Sequence, residues 1–140
     1  MSLSVITISI PTTSSNSVRN ADGGNQGTIC ARGNAMPDDG VLPTDNVYGM
    51  VFAANSNPPL TPPAGATRGK LLTANTWSIS RGAAAPGGQD IPGASCATPP
   101  APLPQNRLAV WIQYSDGNYR MAATIFLGAC AADTACGSNP

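Results

Sequence analysis

Few side chains in this chain are equipped for chemistry, and histidine is absent altogether. Its absence removes the commonest general base, the Ser-His-Asp arrangement and most zinc catalysis. It also leaves a cysteine nucleophile without its usual imidazole partner. Every acid is an aspartate, seven in all. Two carboxylates about 5 to 9.5 Å apart hydrolyse glycosides, so Asp38, Asp39, Asp45, Asp90 and Asp116 are the residues to consider. They stand in stretches rich in Gly and Pro, where Asp bonds its own backbone and makes turns, and turn chemistry is the stronger reading. "DGGNQG" (22–27) and "DDGVLPTD" (38–45) carry oxygen ligands for calcium, yet neither follows an EF-hand or nonapeptide pattern. The expectation is a non-enzymatic chain with no cofactor and no metal site.

Recognition is the remaining use for reactive or sticky side chains. Trp111 beside Arg120 is the expected binding pair, a ring and a cation suited to stacking on a sugar or contacting a protein. The competing reading buries Trp111 inside a sheet layer. Cys30, Cys96, Cys130 and Cys136 form an even set with no C-x-x-C spacing, which favours disulfides over metal. Cys130 and Cys136 bracket "AADTA" and would pair locally, leaving Cys30 for Cys96. Bridged cysteines imply an oxidising place: extracellular, cell-surface or particle exterior.

The elements that must hold these groups are extended. Charged residues are 10% of the 140, where about 25% is ordinary, and Glu is missing while Lys70 is the only lysine. Residues that clothe exposed helices are thus nearly absent, and Gly (15) and Pro (14) supply turns in their place. A hydrophobic fraction of 41% with zero net charge argues against disorder. An all-β chain forming a single domain over 1–140, with long Pro/Gly-rich loops, is expected. The six arginines are scattered rather than striped, so nucleic acid is not an expected partner. No apolar run reaches the roughly 20 residues of a membrane helix, so no membrane insertion is expected. The opening "MSLSVITISIP" lacks a positive n-region and does not read as a signal peptide.

Alternation in "LSVITISI" (3–10) puts Ile6, Ile8 and Ile10 on one face. "TICARGNA" (28–35) reads as a second strand and "MPDDG" (36–40) as a turn. "NVYGMVFAA" (46–54) sets Tyr48, Met50 and Phe52 against Val47, Gly49 and Val51, and two apolar faces indicate a central strand. "NSNPPLTPPAGA" (55–66) is a loop, because proline donates no ladder hydrogen bond. Short strands are expected around Leu71-Leu72 and Trp77-Ile79, followed by a second irregular stretch at 82–105. "NRLAVWIQYSDGNYRMAATIFLG" (106–128) is a hairpin. A two-residue turn at Asp116-Gly117, or equally at Gly117-Asn118, puts Leu108, Val110, Ile112 and Tyr114 on the face of Tyr119, Met121, Ala123 and Ile125. Trp111 and Gln113 then share the other face with Arg120.

This order resembles a bacterial immunoglobulin-like or fibronectin-III-like domain. The resemblance rests on the N-terminal strand, the Gly27-to-Gly33 segment, Trp77 on its own strand and the closing hairpin turned at Asp116 to Asn118, across 3–128. Residues 129–140 form a Cys-containing tail beyond it. The resemblance implies an antiparallel β-sandwich, a fold common in spacer, adhesive and assembly units. The expected function is an extracellular structural or adhesive subunit of a filament, shell or surface array, its partners copies of itself or other surface proteins. Residues 3–10 are a candidate for subunit contacts by strand donation. The alternative is a carbohydrate-binding module for polysaccharide, using loop tips with Trp111 or Trp77.

Overall fold

The computed structural model describes residues 4–10, 28–53, 56–81, 86–92 and 106–127. Among these there are strands and turns and no helix. The strands are β1 (Ile6–Ile10), β2 (Thr28–Ile29), β3 (Ala31–Ala35), β4 (Pro43–Ala53), β5 (Thr67–Arg68) and β6 (Lys70–Leu71). They continue with β7 (Thr76–Ile79), β8 (Ile91–Pro92), β9 (Asn106–Tyr114), β10 (Tyr119–Met121) and β11 (Ile125–Leu127). All pairings are antiparallel.

Two sheets form the layers of a sandwich. One has the order β1-β3-β7-β6; the other runs β10-β9-β4-β5, with β11 also pairing along β9. Together they make an all-β, antiparallel sandwich-like fold. The chain changes sheet between β3 and β4, between β5 and β6, and between β7 and β9.

Strand alternation delivers the core. From the first sheet come Ile6, Ala31, Ala35, Trp77 and Ile79; from the second come Val47, Val51, Leu108, Val110, Ile112 and Tyr114. Tyr48, Met50 and Phe52 take the outer face of β4, which lies between β9 and β5 as its two apolar faces require. The expected Ile6/Ile8/Ile10 stripe holds only in part. Ile6 is buried and Ile8 packs on the core, but the register shifts between Ile8 and Ile10, and Ile10 is exposed.

Two other expectations change. "TICARGNA" is not one strand: the run breaks at Cys30, and β2 leaves the sheet to pair with β8. Ile29 and Ile91 face each other there, both fully buried, so the irregular stretch after β7 supplies a core side chain. Its composition gave no period to reveal that, because a two-residue strand is too short to alternate.

The two Asp-Gly dipeptides among the described residues make different turns. Asp38 and Val41 exchange both backbone hydrogen bonds at 2.9 Å, and Asp39 and Gly40 between them have φ of 50° and 81°. Two positive φ values in a two-residue loop are the mark of a type I′ turn. At the second hairpin the Tyr114 carbonyl accepts from the Gly117 amide and the Tyr114 amide donates to the Asn118 carbonyl, both 2.9 Å. The loop is therefore three residues, Ser115 to Gly117, with only Gly117 at positive φ (87°). That is a type I turn closed by a glycine bulge.

The extra loop residue moves the register by one. Tyr119 pairs with Gln113, Arg120 with Ile112 and Met121 with Trp111. The expected pairing returns at Ile125 with Leu108, because Ala122 still bonds Val110 while both Ala123 and Thr124 stand opposite Ala109. One glycine bulge thus flips the faces near the turn, and a second bulge restores them.

Candidate functional site

The flipped register separates the expected binding pair. Arg120 shares a face with Ile112 and Tyr114, while Trp111 shares the opposite face with Tyr119 and Met121. Trp111 is fully buried, though not between the sheets. The proline-rich segment 56–66 covers it from outside: its indole N–H donates to the Pro59 carbonyl at 2.9 Å, and Phe52 meets its ring edge-on, 6.2 Å between centroids. Arg107 helps hold that cover by donating to the Ser56 carbonyl at 3.0 Å. Neither Trp111 nor the core residue Trp77 presents a ring to solvent.

Arg120 instead ties two turns together at one end of the sandwich. Nη1 and Nη2 reach the two Asp116 oxygens at 2.7 and 3.0 Å, and Nε reaches Asp38 Oδ2 at 3.0 Å. The guanidinium carbon lies 4.6 Å from the Tyr114 ring centroid, and the Tyr114 hydroxyl donates to the Met36 carbonyl at 2.7 Å. Ser115 and Leu42 add a backbone hydrogen bond of 2.7 Å. The turn after β3 and the turn after β9 are therefore one braced unit. On it stand Met36 and Leu42, 50% and 54% exposed.

The electrostatics follow from this brace. Hydrogen bonding from Arg120, with help from the Asn118 amide, lowers the Asp116 carboxyl from 3.8 to about 2. Burial raises the Tyr114 phenol to about 12, with Arg120 opposing and Asp38 adding to that rise. A depressed carboxyl contributes stability that is present above its unfolded value and is lost as pH falls through the folded one. The brace should hold to about pH 4 and loosen toward pH 2. Carbon-detected side-chain NMR should find Asp116 titrating at about 2, and Arg120→Gln should raise it part of the way toward 3.8, the Asn118 amide still holding it down. A midpoint near 3.8 in the unaltered chain would contradict the brace.

The candidate carboxylates of Asp38, Asp45, Asp90 and Asp116 each make a structural contact. Asp38 and Asp116 both bond the Arg120 guanidinium. Asp45 accepts the Leu71 amide at 2.7 Å, linking β4 to β6. Asp90 accepts the Arg81 amide at 2.7 Å and lies 3.5 Å from its Nε. Asp39 occupies the type I′ turn. Among the described residues no three acids or cysteines converge as metal ligands. "DGGNQG", Cys96, Cys130, Cys136 and the tail 129–140 lie outside the described residues. Cys30 is a fully buried half-cystine.

The N-terminal strand is paired within its own chain, Ile6 with Ala35 and Thr7 with Asn34, at the edge of the first sheet. Donation to a neighbour would require it to leave that place.

A second surface went unrecognised in the sequence. Beyond the proline-rich cover, the outer face of the second sheet gathers Asn46, Tyr48, Arg68, Gln113, Tyr119 and Met121, all partly exposed. Tyr48 and Tyr119 meet edge-to-face at 6.3 Å, and the Arg68 guanidinium lies 5.4 Å from the Tyr48 centroid. The alternation of β4 signalled Tyr48; the two-residue register assumption put Tyr119 on the wrong face; Arg68 carried no signal before β5 was paired with β4. Comparison with protein-family models, with curated proteins and with solved structures found no match to this chain.

Proposed function

We propose that the chain is a non-enzymatic structural or adhesive subunit, acting outside the cytoplasm, that meets its partners through the braced turn end of its sandwich. One observation carries this: Met36 and Leu42 are half-exposed apolar side chains on backbone already held by the Tyr114, Ser115 and Arg120 contacts. A rigid apolar surface loses little entropy when a partner covers it, so more of the gain from burial survives as affinity. Loops set on a rigid scaffold are the usual place for such contacts. The half-cystine at Cys30 supports an oxidising compartment. The position of β1 at a sheet edge supports a further contact by strand addition, in which a neighbour's strand pairs with β1 in place.

The test is native mass spectrometry with negative-stain imaging of the purified chain. Rings, filaments or discrete oligomers are expected. The double substitution Met36→Ser with Leu42→Ser should weaken association by about tenfold or more, as truncating two central apolar anchors does. A monodisperse monomer, or assemblies indifferent to both substitutions, would remove the turn end from this role.

A further inference from the structure

We propose that the open half of the second sheet's outer face binds acidic sugars, specifically uronate-bearing polysaccharide. This surface is separate from the turn end, and neither reading depends on the other. Arg68 is the centre of it. Its guanidinium is held by uncharged acceptors: the Asp45 carbonyl at 2.9 Å, the Gly69 carbonyl at 3.3 Å and the Tyr48 hydroxyl at 3.4 Å. Arg81 and Arg120 sit against carboxylates, but among the described residues Arg68 does not. The carboxylate of Asp45, the residue whose carbonyl Arg68 bonds, accepts the Leu71 amide. A half-buried cation fixed by neutral dipoles keeps its attraction for an anion, and partial desolvation strengthens that attraction relative to open water.

The groups around it fit the rest of a uronate. Tyr119 and Tyr48 present partly exposed rings, and a tyrosine ring offers an apolar face to sugar C–H groups with a polar tip alongside. Tyr48 links the two, its ring centroid 5.4 Å from the Arg68 guanidinium carbon and 6.3 Å from the Tyr119 centroid. The amides form a directed chain: Asn46 Nδ2 donates to Gln113 Oε1 at 2.7 Å, and Gln113 Nε2 donates to the Gly117 carbonyl at 2.9 Å. That order leaves the Asn46 carbonyl oxygen to accept from a hydroxyl. A neutral sugar would leave the Arg68 charge unmatched, and a small anion would leave the rings and amides unused. The surface lies across four neighbouring strands and is open, which suits a run of residues in a polymer.

The test uses the whole 15N-labelled chain titrated separately with an oligogalacturonate, an oligoalginate, a cello-oligosaccharide of equal length and sodium sulfate. Either acidic oligomer should move the amide resonances of residues 46–48, 67–69, 113 and 119–121, with affinity falling as salt rises. Arg68→Gln should weaken binding about tenfold or more and Arg68→Lys should recover part of it, as expected for a charge-assisted contact. Tyr119→Ala should weaken it without changing the salt dependence, and Met36→Ser should leave it unaltered. The proposal fails if neither acidic oligomer moves those resonances, if cello-oligosaccharide binds equally well, if sulfate binds as tightly as the oligomers, or if Arg68→Gln binds like the unaltered chain. Mapping on the unaltered chain decides the matter even where a variant does not fold.

Discussion

Trp77→Ala should be the most damaging single truncation in the molecule, costing about 3–5 kcal/mol. The side chain is fully buried between the sheets and is the largest in the core. Its ring lies against Gly33, and its indole N–H donates to the Asn34 carbonyl at 3.1 Å. Truncation therefore removes a large apolar volume, leaves a cavity and deprives a strand carbonyl of a donor. Domains are commonly stable by only about 5–15 kcal/mol, so this variant should unfold at a much lower urea concentration or lose cooperative unfolding outright. Trp111→Ala is the informative comparison, because it deletes an equally buried ring from beneath a loop rather than from between two sheets. The 56–66 segment is able to settle into the space, so its cost should lie toward the low end of that range. Equilibrium urea denaturation with matched m-values gives both numbers. A Trp77→Ala loss below that of Trp111→Ala would show that the core has been assigned to the wrong layer.

Gly33→Ala should be nearly as severe for a different reason, about 3 kcal/mol or more, at or beyond the upper end of ordinary overpacking. A Cβ at this position would overlap the Thr7 carbonyl oxygen and come within 2.8 Å of Trp77 Cζ2. A backbone oxygen in a ladder has no rotamer to adopt, so β1 must move away from β3. Moving it withdraws Ile6 from the core and exposes the β3 edge. Hydrogen exchange should show residues 6–10 losing protection before the second sheet does. Gly40→Ala separates this steric effect from the conformational one. Gly40 has φ of 81° but open space around it, so alanine there meets only backbone strain, about 1 kcal/mol. If the two substitutions cost the same, close approach is not what requires Gly33.

Much of the architecture was legible along the chain, for local reasons. The two-residue period separated the two faces of 46–54 and gathered the apolar face of 106–114, since a pleated strand can turn only alternate side chains to one side. The proline clusters were excluded from sheet interiors by a missing donor. Asp39-Gly40 and Asp116-Gly117 were both recognised as turns. The kind of turn was not legible. Asp39-Gly40 adopts the type I′ turn that was expected at Asp116-Gly117, while the latter sits in a three-residue loop. The same dipeptide permits either, and the pairing of the flanking strands chooses. That choice had a large consequence, because one residue of register moved Arg120 away from Trp111 and brought Tyr119 to Tyr48. The expectation that Trp111 and Arg120 share a face was therefore overturned by a single glycine bulge at the turn.

Composition and alternation alone pointed to an all-β chain, marked its long strands and gathered the apolar face of 106–114. These are properties of neighbouring residues, set by backbone geometry and by the aversion of apolar groups to water. Only the folded molecule decided that Trp111 lies under a proline-rich cover, that Ile91 reaches the core from a two-residue strand, and that Arg68 stands over the Tyr48 ring with no carboxylate partner among the described residues. Each of those outcomes joins residues distant in the chain. Their energies depend on strand register and on which loop crosses which face, and neither is written in any short stretch of sequence.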